Sequence, residues 1–500
     1  MIMQKKEKES IVKYEKITSI ALKRGFFWPT AEIYGGKAGL YSYGHLGKYM
    51  KNKFEALWKE HFLSENYYEI ESSAILPESV FIASGHLEHF NDPLVECKTC
   101  HFRFRADQFI EDNLKIKADE LTIEEMTKKI TDNELKCPKC GSWHLDSVRW
   151  FNMMFPLALG TTEKDVAYLI PETAQASYLA FKREFEATRK KLPLGIAIIG
   201  KAFRNEISPR QTFFRLREFT QAELQIFFDP SEIDKAEKEE WQNISKYKLQ
   251  LLPASHQAIK EDFKEISCED ANKKLGLPKF YVLNMALVQK FYFEKMHIPK
   301  EKFRLRELNE NERAFYNKIH WDVELQFETL GDFKEVAGIH YRTDYDLERH
   351  EKNSKENLHI FYNDKSFIPH VLELSFGVDR NILALLDIFF KEEKERTLFT
   401  FPRTVSPIDV AIFPLVSKEK MPEKALEVYN MLKAGFSCSY DESGSIGRRY
   451  RRADEIGVSF CITIDSQTLK DKTVTVRDLQ SMKQERIKIS ELDEELNKAF

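Results

Sequence analysis

The chain has 500 residues, with 76 Lys plus Arg against 80 Asp plus Glu, so its net charge of -4 provides no global positive field and any nucleic-acid role must come from a local patch. Its 19 glycines and 17 prolines exclude collagen-like and linker-rich sequence, and no apolar run approaches the ~18 residues of a membrane span. The expected product is a soluble protein of about three domains, in the cytoplasm, because the charged N-terminal segment resembles neither a signal nor a transit peptide.

In chain order, Lys16 to Leu63 reads as two helical stretches around Tyr34-Gly35-Gly36. The spacing of Tyr49, Lys53, Leu57 and Phe62 predicts one amphipathic face on the second, Leu46 to Phe62. A strand is predicted over Tyr67 to Leu76, ended by Pro77. Between Asn91 and Ser147, two Cys-x-x-Cys pairs flank a charged helical stretch, Ile110 to Glu134, which marks residues 91–147 as an inserted domain. Strands at Leu194 to Glu206 and Phe213 to Phe228, joined by Ser208-Pro209-Arg210-Gln211, predict a hairpin. Residues 229–300 read as a charged helical insertion without an assignable motif. Beyond Pro402, a strand (Ile408 to Pro414), a helix (Glu423 to Gly435), a basic segment and strands at Val458 to Asp465 and Thr473 to Arg477 form a separate α/β unit, 401–500. Residues 1–90 and 148–400 are left as the core.

Arg204 and Glu206 are two apart, and Arg215, Arg217, Phe219, Gln221 and Glu223 repeat that period on the returning strand, which predicts one polar hairpin face. Such a face is either a salt-bridged edge or a site for an anion with a flat ring, gripped by guanidinium forks and stacked on Phe219. Val371 to Leu386 reads as strand, glycine turn and apolar-striped helix, with Arg380 in the first turn, where helix N–H groups attract phosphate. Glu373 and Ser375 share a strand face toward the same crevice. Cys97, Cys100, Cys137 and Cys140 suit one tetrahedral structural zinc, with metal-free thiols as the alternative. Arg448, Arg449, Arg451 and Arg452 cover a short helix capped by Ser445, either a nucleic-acid contact or a solvated basic face.

Phe203-Arg204-Asn205-Glu206 with Phe219 resembles motif 2 of the class II aminoacyl-tRNA synthetases, Gly377-Val378-Asp379-Arg380 resembles motif 3, and helix 46–62 with the strand after it resembles the dimer-forming motif 1. Pro171-Glu172-Thr173-Ala174-Gln175, Phe151-Asn152-Met153-Met154-Phe155, Arg105-Ala106-Asp107 and Ile446-Gly447-Arg448-Arg449-Tyr450-Arg451-Arg452 are similar to the dimeric glycyl type of that family. The resemblance implies an α+β fold: an antiparallel-sheet catalytic core, an inserted zinc-ribbon-like domain and a C-terminal α/β anticodon-binding domain. It also implies a homodimer that joins glycine to the 3'-terminal ribose of tRNA(Gly) through glycyl-adenylate, the alternative being a non-catalytic nucleic-acid-binding paralogue.

Carried over by position, the resemblance implies ATP binding by Arg204, Asn205, Glu206, Phe214, Arg215, Leu216, Arg217, Glu218, Phe219, Glu335, Val336, Gly377, Val378, Asp379 and Arg380, with Mg²⁺ partnered by Glu335. Arg204, Glu206 and Arg380 are its implied catalytic residues. Glycine-site positions are implied at Arg105, Glu172, Phe219, Thr220, Gln221, Ala222, Glu223, Glu373, Leu374, Ser375, Phe376 and Gly377, and tRNA contact at Arg448, Arg449, Arg451 and Arg452. Glycine offers only an ammonium, a carboxylate and two hydrogens, so recognition needs carboxylates for the ammonium and a filled side-chain volume. Glu172, Glu223 and Glu373 are the right types. Ile170 stands before Pro171 where the family usually has arginine.

Overall fold

In the computed structural model, which describes residues 2–118, 121–161, 165–207, 209, 214–235, 238–310, 312–314 and 316–499, strand alternation sorts a nine-stranded sheet into an apolar and a polar face. Its strands are β1 (Tyr67–Glu69), β2 (Leu194–Phe203), β3 (Glu218–Phe228), β4 (Lys248–Leu252), β5 (Lys264–Ser267), β6 (Phe303–Glu307), β7 (Ile319–Phe327), β8 (Asp332–Thr343) and β9 (His370–Gly377). In space they run β5-β4-β6-β7-β8-β9-β3-β2-β1. Only β4 with β6 and β1 with β2 are parallel.

The helices that bear on the site are α1 (Ile2–Arg24), α2 (His45–Phe62), α3 (Ala106–Leu114), α4 (Ile123–Asp132), α5 (Ala174–Ala187), α6 (Lys279–Lys290), α7 (Tyr345–Ser354), α8 (Val378–Ile388), α9 (Met421–Leu432) and α10 (Ile446–Ile456). Phe54, Trp58 and Phe62 of α2, Tyr281, Met285 and Val288 of α6, and Ile382, Leu385 and Leu386 of α8 share one core with the apolar sheet face, which presents Leu224, Trp321, Val323, Leu374 and Phe376. Phe376 lies at the junction, with the rings of Trp58, Phe62, Phe291 and Tyr292 centred 5.1 to 6.2 Å away.

Several expected elements differ. The face that α2 buries is Leu46, Met50, Phe54, Trp58 and Phe62, while Tyr49 is exposed. An unbroken i, i+4 apolar ladder outweighs the Tyr/Lys/Leu stripe, of which Lys53 pairs with Asp409 and Leu57 packs only at the edge of the core. The strand expected over 67–76 splits into β1 and Ile75–Pro77, which pairs in another sheet, because Glu71, Ser72 and Ser73 are exposed between them. The helix expected over 110–134 is two: Lys115, in the left-handed region at φ 57, closes α3, and a capping box of Thr122 and Glu125 opens α4. The hairpin strands stop at Phe203 and restart at Glu218, so residues 204–206 and 214–217 lie outside the ladder. Of the turn and strand expected there, Ser208, Arg210, Gln211 and Phe213 lie outside the described residues.

Residues 229–300 are not a purely helical insertion. They supply β4 and β5 to the sheet edge and lay α6 across its apolar face, because Lys248-Leu-Gln-Leu-Leu252 alternates as a strand and α6 is apolar along most of its length. The C-terminal unit is a second sheet, β10 (Val410–Pro414), β11 (Cys438–Tyr440), β12 (Phe460–Ile464), β13 (Thr473–Asp478) and β14 (Gln484–Lys488), ordered β11-β10-β12-β13-β14 with its own apolar cluster. No helix among the described residues is long and apolar enough to cross a membrane.

Phe376→Ala is expected to cost about 3–5 kcal/mol through the cavity left among four rings. Urea unfolding followed by tryptophan fluorescence should show a lower midpoint; an unchanged midpoint would mean that the junction is not tightly packed.

Candidate functional site

A cavity of about 270 Å³ opens on the polar sheet face above β7, β8, β9 and β3. Register explains which residues meet there. His320 pairs with His340, His340 with Glu373 and Glu373 with Gln225, while one step along Asp322, Gly338, Ser375 and Glu223 form a parallel row. Side chains of both rows leave the same face. Glu335 joins them through an irregularity: both Val336 and Ala337 fall opposite Val323, a β-bulge. Val336 and Ala337 are buried in the core, which returns Glu335 to the cavity side.

At the deep end, carboxylates gather round a buried guanidinium. Arg342, 1% exposed, donates through Nε and Nη2 to Asp346 (2.9 and 3.1 Å) and through Nη1 to Glu373 Oε2 (2.8 Å), with Nη2 also 3.8 Å from Glu172. His340 Nδ1 donates to Glu373 Oε1 (2.6 Å). Glu223 accepts from Thr173 (2.6 Å) and Ser375 (2.7 Å), and Gln175 bridges Glu172 and Asp346 at 3.1 Å each. Tyr178 of α5 donates to Gln225 at 2.9 Å, and its hydroxyl lies 3.3 Å from Glu373.

The three carboxyls titrate apart. Burial alone would raise each, but Arg342 and His340 hold Glu373 at about 2, and His86 and Arg342 hold Glu172 well below the usual range. Glu223 has hydroxyl donors and no cation, so burial and the charges of Glu373 and Glu172 push it up to about 7. Ile170 is buried against Phe81 and Met154, and the charge partners of Glu172 are His86 (3.5 Å) and Arg342, which supply the balance expected of an arginine at 170.

The other end carries arginines. The Arg204 guanidinium lies 5.4 and 5.2 Å from the ring centres of Phe90 and Phe219, and its Nε donates to the Pro171 carbonyl (3.1 Å). Arg380, in the first turn of α8, pairs with Glu335 at 3.0 Å and lies 4.9 Å from the Phe214 ring. Gly377 caps α8, and Asp379 accepts from the Thr220 amide (2.5 Å) and the Tyr43 hydroxyl (2.5 Å). Arg215 reaches α3 of the insert, where the Gln108 carboxamide, oriented by this contact, accepts at 2.7 Å.

Of the sequence candidates, Glu172, Arg204, Glu206, Phe214, Arg215, Leu216, Phe219, Thr220, Gln221, Glu223, Glu335, Glu373, Ser375, Gly377, Asp379 and Arg380 line the cavity. Others do not. Ala222, Leu374 and Phe376 occupy the opposite face of their strands, and Val336 and Val378 are also buried in the core. Glu218 pairs outward with Lys201, Arg217 donates to the Glu206 and Ala38 carbonyls, and the Asn205 amide donates to Met153 O. Arg105 is held by Asp92 (3.0 Å) and Asp107 within the insert. Arg204, Glu206, Arg215 and Arg217 converge or brace by loop path, not by strand alternation. Sequence reasoning missed Tyr316, Asn317, His320, Asp322, His340 and Arg342; the alternation Gly338-His340-Arg342 beside Glu335 was a usable signal.

The Sγ atoms of Cys97, Cys100, Cys137 and Cys140 lie within 4.8 Å of one another and could hold a metal ion. His101, the neighbouring imidazole, turns instead to Glu96. On α10, Arg448 and Arg451 are exposed, but Arg449 is 2% exposed and donates to the carbonyls of Pro414 and Gly444, and Arg452 pairs with Asp441. Arg449 is therefore a structural arginine, since its desolvated guanidinium has no path to a phosphate.

The sheet, the arginine-bearing loop and strand–glycine–helix define a class II aminoacyl-tRNA synthetase. Residues 157–389 match the tRNA synthetase class II core domain (G, H, P, S and T), and residues 409–499 match the anticodon binding domain. The fold is similar to that of prolyl-tRNA synthetase from Cryptosporidium parvum complexed with L-proline and AMP, with TM-score 0.58 and 13% identity over 97% of this chain and 74% of that one. The chain is 39% identical to the glycine--tRNA ligase of Pyrococcus furiosus over 97% of its own length and 98% of that protein, and 38% identical to that of Methanococcus maripaludis over 96% and 98%. It belongs to the glycine--tRNA ligase family.

A carboxyl raised from 4.5 to about 7 by folding favours the unfolded chain as it ionises, so stability falls as pH rises through that window. Glu223→Gln is expected to raise the thermal midpoint of the ligand-free protein above pH 7, by an amount on the order of a few degrees that fades on acidification toward pH 4.5. A midpoint difference independent of pH would contradict the assignment.

Proposed function

We propose that this chain activates glycine with ATP to glycyl-adenylate and transfers it to the 3'-terminal ribose of tRNA(Gly). The observation that carries the reading is the polarity of the cavity: Glu172, Glu223 and Glu373 at one end suit an ammonium, and Arg204, Arg215 and Arg380 at the other suit the triphosphate. Activation is attack by the amino-acid carboxylate on the α-phosphate. The attack forms an acyl–phosphate bond and releases pyrophosphate, so the chain must position its substrates and stabilise developing charge. Arg204 and Arg380 are suited to the phosphates, and Phe219 and Phe214 offer ring faces beside them. Glu335, exposed to the cavity, is the carboxylate that would partner Mg²⁺, which neutralises phosphate charge when bound with ATP. Arg342, by holding Glu373 and facing Glu172, orients the ammonium subsite.

The reading includes a homodimer through α2 and β1, tRNA contact by Arg448 and Arg451 of α10, and a structural zinc on the four cysteines. The Cys97–Cys140 and Cys100–Cys137 sulfurs are 3.7 Å apart in each pair, close to the about 3.8 Å edge of a tetrahedron with Zn–S of about 2.3 Å.

ATP–pyrophosphate exchange across a panel of amino acids tests the function. Glycine alone is expected to support it; equal exchange with alanine, or none with any amino acid, would overturn the reading. The purified protein is also expected to carry about one zinc per chain, with Cys137→Ser releasing it and destabilising the insert. Metal-free protein prepared without chelators would remove the zinc assignment.

A further inference from the structure

One wall of the cavity holds a pair of histidines that the reading above leaves unused. His340 Nε2 lies 3.0 Å from His320 Nε2, which is itself 3.0 Å from Asp322 Oδ1, while His340 Nδ1 holds Glu373. Two N–H groups at this separation would collide and two lone pairs would repel, and His320 Nε2, which faces Asp322 as well, either donates its proton to that carboxylate or accepts one from His340. The ring can lie there only because residue 338 has no side chain: a Cβ on Gly338 would meet His340 Nε2 at 2.4 Å.

We propose that His340, folded over Gly338 and backed by His320, is a positioning residue for Glu373, its Nδ1 holding the carboxylate that faces the ammonium subsite. The proposal rests on the reading of this cavity as a glycine site. Glu373 thereby has a donor on each oxygen, His340 on one and Arg342 on the other. Around His340 stand Glu373 from β9, Glu223 from β3, His320 and Asp322 from β7, Arg342 and Glu335 from β8, Glu172 and Tyr178 at α5, and Tyr316 in the loop before β7. Burial pushes His340 down, but the Glu373 carboxylate outweighs it and the ring ends above its ordinary value; burial and His340 push His320 down. When protonated, the His340 ring offsets the carboxylate charge that repels ionisation of Glu223, which extends glycine capture to lower pH.

The test is the KM for glycine and for ATP in pyrophosphate exchange, measured against pH for the full chain and for His340→Ala, His340→Asn, His320→Gln and Gly338→Ala. His340→Ala and Gly338→Ala are expected to raise the glycine KM about tenfold, with the ATP KM within about twofold, for loss of a charge-assisted hydrogen bond. His340→Asn keeps a donor near Nδ1 and should recover most of that loss. Being uncharged, it should also move the acid limb of the glycine KM profile to higher pH, which a merely structural role would not do. An unchanged glycine KM in His340→Ala, equal rises in both KM values, or a His340→Asn profile superimposed on the parent would overturn the proposal. If the alanine variants fail to fold, His340→Asn and His320→Gln carry the test, and both must shift the acid limb. If another amino acid supports exchange in place of glycine, the functional reading fails, and the same variants read against that amino acid still decide the role of His340.

Discussion

Burial of Arg342 is the constraint on which the site depends. A guanidinium that is 1% exposed must have its charge and donors answered. Asp346, Glu373 and, more distantly, Glu172 answer it from three separate elements. The same pairing keeps Glu373 and Glu172 ionised away from water, so sheet and helices are fastened together by groups that face the cavity. Glu223, one step along and paired to no cation, is instead pushed up to about 7 by burial and by the charges of Glu373 and Glu172.

The apolar face of the sheet makes this polar face possible. Phe376 and Leu374 lie between the site residues Glu373, Ser375 and Gly377 in sequence, yet they face a core closed by α2, α6 and α8. Period-two alternation means that β9 cannot place its carboxylate and serine in the cavity without sending large apolar side chains behind it. The stability of that junction and the precision of the site are one packing problem. Residues 229–300 contribute to it by laying α6 over the back of the sheet.

Much of this was legible in the sequence. Strand alternation placed Glu223, Glu373 and Ser375 on one face, the glycine before α8 marked Arg380, and the Cys pairs marked the insert. What was not legible was set by local irregularity or distant pairing. The bulge at Val336 reverses the parity by which Glu335 would be assigned, and residues 204–206 and 214–217 lie beyond the hairpin ladder, so spacing there carried no facial information. Arg342 and His340 went unread because their meaning comes from strands paired across the sheet. Arg449 looked like part of a basic surface because burial of one arginine among four on a short helix leaves no mark in composition.

The central claim is that the carboxylate end of the cavity binds an ammonium by ionising Glu223. It is tested most directly by calorimetric titration of glycine, with a non-hydrolysable ATP analogue present, in buffers of different ionisation enthalpy at about pH 7, the value to which Glu223 is pushed. Binding is expected to release protons there, less so as pH rises, and the release should disappear in Glu223→Gln. Binding without proton release, or release that survives that substitution, would contradict the account.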